Sequence, residues 1–371
     1  MPNRINVTRS YLPDKDLFIR YIDRIWESHY LTNQGPLHEE FASKLSDILG
    51  HINVTLTTNG HLSLDIAVKG LNLSGEIITT PFTFVSTTHA ITSNGITPVF
   101  CDINKSDLTI NADLIESLIT EKTTAIMPVH VYGHLCDIEK IDNIAKKYSL
   151  KVIYDAAHAF GIEKDSLSIS QFGDVSMFSF HATKLFHSIE GGALLYRDKN
   201  LESVFNAYKN FGLENEETVE YIGGNAKMNE FQAAMGLSIL PHIQQIIEER
   251  KVITMRYREK LSDISGIHYF TPDANPSILH NYAYMPILVD NEYFGFTRDY
   301  LFEDLKKHDI YTRRYFYPLT SDFACYREIS SGTNLSVARK AASQVLCLPI
   351  FNGLEISMVD RICSLIRNVS K

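Results

Sequence analysis

Short apolar runs alternate with longer amphipathic stretches along most of the chain, beginning near residue 52. The runs at 52–57, 76–80, 97–101, 124–131, 151–154, 175–179 and 192–196 have the length of buried strands. Between them, apolar residues return every three or four positions. Leu62, Ile66 and Leu73 mark a helix across 61–73, and residues 83–94 form another. Leu114, Ile115, Leu118 and Ile119 mark 112–120, and Ile138, Ile141 and Ile144 mark 137–148. Strand–helix–strand alternation predicts an α/β domain with a mainly parallel sheet. The interval 179–192 is too short for a helical crossover, so it predicts a loop entering an antiparallel strand.

Ahead of this region, Tyr21, Ile25 and Trp26 predict one amphipathic helix, and Leu37, Phe41, Leu45 and Leu49 a second. LTNQGP (31–36) breaks the chain between them. Residues 227–260 read as a long helical region kinked at Pro241. After about 262 the pattern changes to a strand-like YAYMPILV (282–289), a helix over 297–309 and a final helix over 357–369. The expected division is a large domain at 1–250 and a smaller α+β domain at 251–371.

Composition narrows the class. Of the 371 residues, 44% are hydrophobic and 21% charged, which suits a packed core and not a disordered chain. A net charge of −9 argues against nucleic acid or an anionic membrane as the main partner. It leaves room for a small basic pocket that takes a phosphorylated ligand. No run approaches the ~20 apolar residues of a membrane span, and no apolar signal core follows the first residues. The five cysteines, at 101, 136, 325, 347 and 363, are odd in number and lack a CxxC pair. They predict reduced thiols and a cytoplasmic protein.

Four segments carry candidate chemistry. In TTNGHLSLDIAVKG (57–70), Asn59-Gly60 is a turn opening a helix, a place where backbone N–H groups suit a phosphate. In YDAAHAFG (154–161), Asp155 follows an apolar run, at the strand end where open α/β sheets bind ligands. Taken alone, it reads equally as a turn or N-cap residue. In SMFSFHATKLFHSIEGGALLY (176–196), Lys184 stands among Phe178, Phe180, Leu185 and Phe186. Apolar surroundings can lower an amine's pKa and fit it for Schiff-base chemistry, although taken alone the segment reads more plainly as a loop lysine snorkelling to water. In YIGGNAKMNEFQAAMG (221–236), Gly223-Gly224-Asn225 precedes a helix. No GxGxxG or Walker sequence is present. His130, His134 and Cys136 run from a strand into a turn without the helical spacing of a zinc pair, so no metal is expected.

The order of these segments resembles the DegT/StrS family of nucleotide-sugar aminotransferases that use pyridoxal 5'-phosphate. The likeness extends to LTNQGP (31–36), TTPFTFVSTTHAI (79–91), PVFCDI (98–103), IMPVHVYGHLCDI (126–138) and LPIFNGL (348–354). It implies the aspartate-aminotransferase (type I) fold, with a mainly parallel seven-stranded sheet, and a homodimer with shared active sites. It implies Lys184 as the Schiff-base lysine and Asp155 as partner of the pyridine nitrogen. His158 would lie near the phenolic oxygen, and Phe84 would stack on the ring. Ser179, Gly60 and its neighbour His61 would hold the phosphate, joined by Asn225 from the partner subunit.

Three departures stand out. His61 replaces the usual Thr/Ser, Lys227 an arginine, and Thr320 a histidine. Arg313, Arg314, Tyr315 and Tyr317 are candidates to touch the sugar nucleotide. The wording SFHATKLFHSIEGG is most similar to members that aminate C4 of dTDP-4-keto-6-deoxyglucose, with L-glutamate as donor. Amination at C3 of a dTDP-3-keto-6-deoxyhexose is the alternative, and a non-catalytic binding protein on the same fold is another. Lys184 argues against the dehydratase branch, where histidine stands there. The resemblance places the product in surface-polysaccharide or O-antigen synthesis.

Overall fold

The computed structural model describes residues 4–330 and 333–370. The chain opens with a two-residue strand, β1 (Ile5–Asn6), and two helices, α1 (Lys15–Ser28) and α2 (Pro36–Ile48). Strands and helices then alternate: β2 (Asn53–Thr57), α3 (Gly60–Gly70), β3 (Glu76–Thr79), α4 (Val85–Thr92), β4 (Thr97–Phe100), α5 (Ala112–Ile115), β5 (Thr123–Met127), α6 (Ile138–Tyr148) and β6 (Lys151–Asp155). A small hairpin of β7 (Glu163–Lys164) and β8 (Leu167–Ser168) precedes β9 (Val175–Ser179) and β10 (Gly192–Tyr196). Helices α7 (Leu201–Lys209), α8 (Glu230–Ile239) and α9 (Ile243–Leu261) follow.

The large sheet has seven strands in the order β2-β10-β9-β6-β5-β3-β4. Its β9, β6, β5, β3 and β4 are parallel, and β10 runs antiparallel to both neighbours. The mainly parallel seven-stranded sheet and the short loop into an antiparallel strand are both as expected. Two elements are shorter than their apolar runs. The run 124–131 stops being strand at Met127, because residues 131–133 form a turn in which Tyr132 has φ 58°. The helix expected over 112–120 is α5 plus one tighter turn at Glu116–Leu118. The β7–β8 hairpin and its partner strand, β12 (Ile278–Leu279), have two residues each, too few to show a period of two. In α1, Ile25 is buried as expected, but Trp26 is 65% exposed and meets only the edge of Phe231.

A second, three-stranded sheet is built from β11 (Ile267–Tyr269), β13 (Met285–Val289) and β15 (Val345–Leu348). Helices at Arg298–Lys307 and Ile356–Val369 pack with it around Leu301, Leu305, Val359, Ile362 and Ile366. Helix α9 spans both cores. Ile243, Ile246 and Ile247 join the core of the large sheet, and Ile253, Tyr257 and Leu261 the C-terminal one. Residue 250, the expected division, falls inside this helix. The chain start does not follow that division: β1 pairs with β14 (Ile310–Tyr311), and Ile5 is buried in the C-terminal core.

A distant carboxylate serves the N-terminus of α2, where Gly35 supplies no side-chain cap. Glu230, the first residue of α8, is 1% exposed and accepts from the backbone N–H of Leu37 (2.8 Å) and His38 (3.0 Å). It meets both orphan donors and the positive end of the helix dipole. Glu230→Ala is expected to cost about 2–3 kcal/mol of stability, since two buried N–H groups lose their acceptor. Urea unfolding would show it, and a change below about 0.5 kcal/mol would contradict this role.

Candidate active site

Three segments meet at the C-terminal ends of strands of the large sheet: the end of β6, the loop after β9 and the turn after β2. Asp155 is the last residue of β6. Its Oδ2 accepts from Thr87 Oγ1 of α4 at 2.7 Å, and its Oδ1 from the Ala157 N–H at 3.1 Å. Burial raises its pKa, against the pull of these two donors and of the Lys184 charge.

The loop from Phe180 to Gly191 is closed by Phe180 N–H to Gly191 O (2.8 Å) and Ser188 N–H to Phe180 O (2.9 Å). Phe180 and Phe186 turn inward, where the Phe186 ring stacks on Phe160 at 4.4 Å. Those aromatics anchor the loop and leave Lys184 within the electrostatic reach of Asp155. Lys184 Nζ donates to the Tyr284 hydroxyl at 3.4 Å. Desolvation pushes its pKa down to about 8, with Asp155 and Tyr315 opposing the fall. The amine is therefore about one-tenth unprotonated at pH 7 and about half unprotonated near pH 8.

His158 is buried, and its Nδ1 accepts from the backbone N–H of Tyr132 at 3.0 Å. That contact requires Nδ1 to be unprotonated, so the proton of the neutral ring sits on Nε2. The imidazole lies parallel to Phe316 and packs on Tyr284 with centroids 4.5 Å apart.

The turn after β2 abuts β9. A Cβ at Gly60 would lie 2.9 Å from Ser179 Cβ, so glycine permits the approach. Asn59 caps α3 by accepting from the Leu62 N–H at 2.9 Å. This helix start and Ser179 form a place for an anion. His61 is exposed, with Nδ1 2.9 Å from Ser86 Oγ. Phe84, just ahead of α4, is 60% exposed.

Other sequence candidates stand further out. Asn225 is exposed on the loop before α8, although the next residue, Ala226, accepts from the Thr58 N–H beside the turn. Arg313 is exposed and paired by its backbone with Cys347. Arg314 is engaged by Asp299 at 2.9 Å and lies over the Phe302 ring. Tyr317 is exposed, with Arg298 4.8 Å above its ring. Of this group Tyr315 faces the centre, acting on the Lys184 charge and meeting Tyr284 edge-on at 6.3 Å. Lys227 donates to Asn210 Oδ1 at 2.7 Å. Thr320 is buried, donating to Pro81 O and accepting from Thr88.

His130, His134 and Cys136 have structural partners. His130 stacks on Tyr154 and accepts from the Cys136 N–H, and His134 Nδ1 meets the Asp107 carbonyl at 2.7 Å. Sequence reasoning overlooked Thr87, Tyr132 and Tyr284. Thr87 lies inside TTPFTFVSTTHAI, and Tyr284 inside an apolar strand-like run that reads as core.

The type I fold, together with the family match, makes this chain a pyridoxal 5'-phosphate-dependent aminotransferase. The chain belongs to the DegT/DnrJ/EryC1/StrS aminotransferase family, which it matches over residues 14–367. It is 44% identical over 369 residues to a dTDP-4-amino-4,6-dideoxy-D-glucose transaminase of Shigella dysenteriae, covering 100% of both chains. A protein of the same name from Escherichia coli is 41% identical over 367 residues, 98% of each chain. Among solved structures, DesI, crystallised in the presence of its TDP-sugar product, matches with a TM-score of 0.95 and 31% identity over 99% of this chain and 93% of that one. No helix among the described residues is long and apolar enough to cross a membrane.

Burial also makes the fold sensitive to acid. His158 is held well below the usual imidazole pKa by desolvation and then by the Lys184 charge. Desolvation alone pushes His130 down to about 3, and for His280 it is the main cause of a fall to about 3. An imidazole that stays neutral when folded but takes a proton when unfolded stabilises the fold fully above its unfolded value. That stability drains as pH falls from about 6.5, by up to about 1.4 kcal/mol per pH unit for each ring. Urea midpoints are expected to fall steeply between about pH 6.5 and 5. A flat profile there would contradict the neutral, buried state of these rings.

Proposed function

We propose that this enzyme moves the amino group of L-glutamate to C4 of dTDP-4-keto-6-deoxy-D-glucose, forming dTDP-4-amino-4,6-dideoxy-D-glucose. The observation that carries this reading is end-to-end similarity above 40% identity to two transaminases of that name. The Asp155–Lys184 arrangement at the strand ends supports it.

The donor set suits the cofactor. Asp155 offers a carboxylate to a pyridine N–H, Lys184 an amine to an aldehyde, and His158 a fixed Nε2–H to a phenolic oxygen. Gly60, His61, Ser179 and the start of α3 offer a seat to the phosphate, and Phe84 an exposed ring to cover the heterocycle. When bound, pyridoxal phosphate supplies an aldehyde that joins to amines and a ring that withdraws electrons from the carbon they carry.

The chain's own groups then have separate tasks. Lys184 would be the residue that holds the cofactor, and its amine would be free once glutamate has taken its place. Its free amine, with a lowered pKa, takes the proton from the glutamate Cα and in the second half delivers one to C4 of the sugar. Asp155, buried and oriented by Thr87, would accept from the pyridine N–H and so keep the ring nitrogen protonated. The aromatic walls limit water.

Asn225 would act from a second copy of the chain. The exposed Phe211, Val219 and Ile222 on the same loop, Ile222 at 94%, support a homodimer that covers them. Tyr315 is the best placed of the substrate candidates. We place the reaction in the cytoplasm, in the making of sugar precursors for surface polysaccharide.

Three outcomes test the reading. Incubation with L-glutamate and dTDP-4-keto-6-deoxyglucose should give, by NMR, an equatorial amine at C4. Conversion of the cofactor by glutamate without a sugar product would reject this substrate and turn attention to the 3-keto isomer. Lys184→Ala should abolish turnover while the protein stays folded, and full activity would overturn the lysine's assignment. Asp155→Asn should lower kcat by about 100-fold or more with cofactor still bound, and wild-type kinetics would remove its role.

A further inference from the structure

Tyr284 comes from the C-terminal part of the chain, immediately ahead of β13, yet its hydroxyl is 3.4 Å from Lys184 Nζ. Its backbone is pinned there by buried polar groups. Asn281 Nδ2 donates to the carbonyls of His158 and Phe160, both at 2.9 Å, and Asn281 Oδ1 accepts from the Ala283 N–H at 3.1 Å. Arg250 of α9, 2% exposed, donates to the Ala283 carbonyl at 3.2 Å and to Asn352 Oδ1 at 3.0 Å. So the residues just after Asp155 and the helix joining the two cores both fix the segment that ends in Tyr284. The ring then packs on His158, 4.5 Å between centroids, and on Tyr132 at 5.8 Å.

We infer that Tyr284 is a positioning residue for the transamination: its hydroxyl oxygen receives an N–H of the Lys184 amine and so restricts the directions in which the nitrogen lone pair can point. This rests on the assignment of Lys184 given above. A lysine side chain has several freely turning bonds, and a released amine without a partner samples many directions. One fixed acceptor removes most of that freedom before the proton moves. Burial raises the Tyr284 pKa, so the hydroxyl stays neutral across the working range.

The other groups acting on this pair come from every neighbouring element. Asp155 and Tyr315 act on the Lys184 charge, which in turn lowers the His158 pKa. Cys347, Arg250 and Asp155 act on Tyr284. None of the contacts among them is removed by Tyr284→Phe, which keeps the ring on His158 and deletes only the hydroxyl.

The test has two readouts. Competitive acetylation of the full-length, cofactor-free protein across pH, with the Lys184 peptide quantified by mass spectrometry, reads the amine's pKa without any substrate. The wild-type midpoint is expected near 8. In Tyr284→Phe the ammonium loses an acceptor, so the midpoint should fall by about one pH unit. In the loaded enzyme, the acid limb of kcat for the glutamate half-reaction should move the same way. There kcat should drop about 10-fold, with KM for glutamate within about 2-fold of wild type. A Tyr284→Phe protein with an unmoved labelling midpoint and kcat within about 2-fold of wild type would overturn the inference, even if its thermal stability changed. Failure of glutamate to convert the wild-type cofactor would instead overturn the transaminase reading, and the labelling result would stand apart from it.

Discussion

A carboxylate and an amine share one poorly hydrated space at the ends of β6 and β9, and each alters the other. Burial raises the pKa of Asp155 and lowers that of Lys184, while their mutual attraction resists both changes. The balance leaves a buried carboxyl and, close to it, an amine that gains and loses a proton near pH 8. The sheet sets where Asp155 ends, and the aromatic-anchored loop sets how Lys184 faces it. The polar clamp of Asn281 and Arg250 brings the C-terminal part of the chain to the same point.

A lowered pKa alone does not single out Lys184. Lys209 is 1% exposed, and desolvation pushes it down to about 8 as well. Its Nζ donates to the Leu56 carbonyl, at 3.4 Å, along the edge strand of the sheet, and the charges of Glu39, Lys227 and Glu202 act on it. What separates the two lysines is company. Lys184 has Asp155, His158 and Tyr284 around it, a set that can hold an aldehyde cofactor and move a proton. Lys209 donates to a backbone oxygen and feels the charges of Glu39 and Glu202, and among the described residues no histidine–tyrosine pair like that at Lys184 acts on it.

Much of this was legible in the sequence. Seven apolar runs separated by amphipathic stretches fixed the large sheet, and the short interval after residue 179 marked the reversed strand. Asp155, Lys184 and Gly60 lie in segments with local physical meaning, but each taken alone reads as readily as a turn residue, a loop lysine or a common Asn-Gly turn, and their proposed roles came from the family resemblance. The contributions of Thr87, Tyr132, Tyr284 and Glu230 were hidden because they act over long sequence distances. Glu230 caps a helix almost two hundred residues earlier, and no pattern of spacing reveals that. Tyr284 sits in a run whose apolar character describes its burial and conceals its hydroxyl. The arginines at 313 and 314 looked like anion ligands by type alone, but Arg314 is engaged by Asp299 in the folded chain.

The most direct measurement is reduction of the cofactor-loaded protein with borohydride, followed by proteolysis and mass mapping of the fixed phosphopyridoxyl group. The account predicts the label on Lys184, with Lys209 unmodified. A label on Lys209 or spread over surface lysines would contradict it, since the amine facing Asp155 would then not be the one that carries the cofactor.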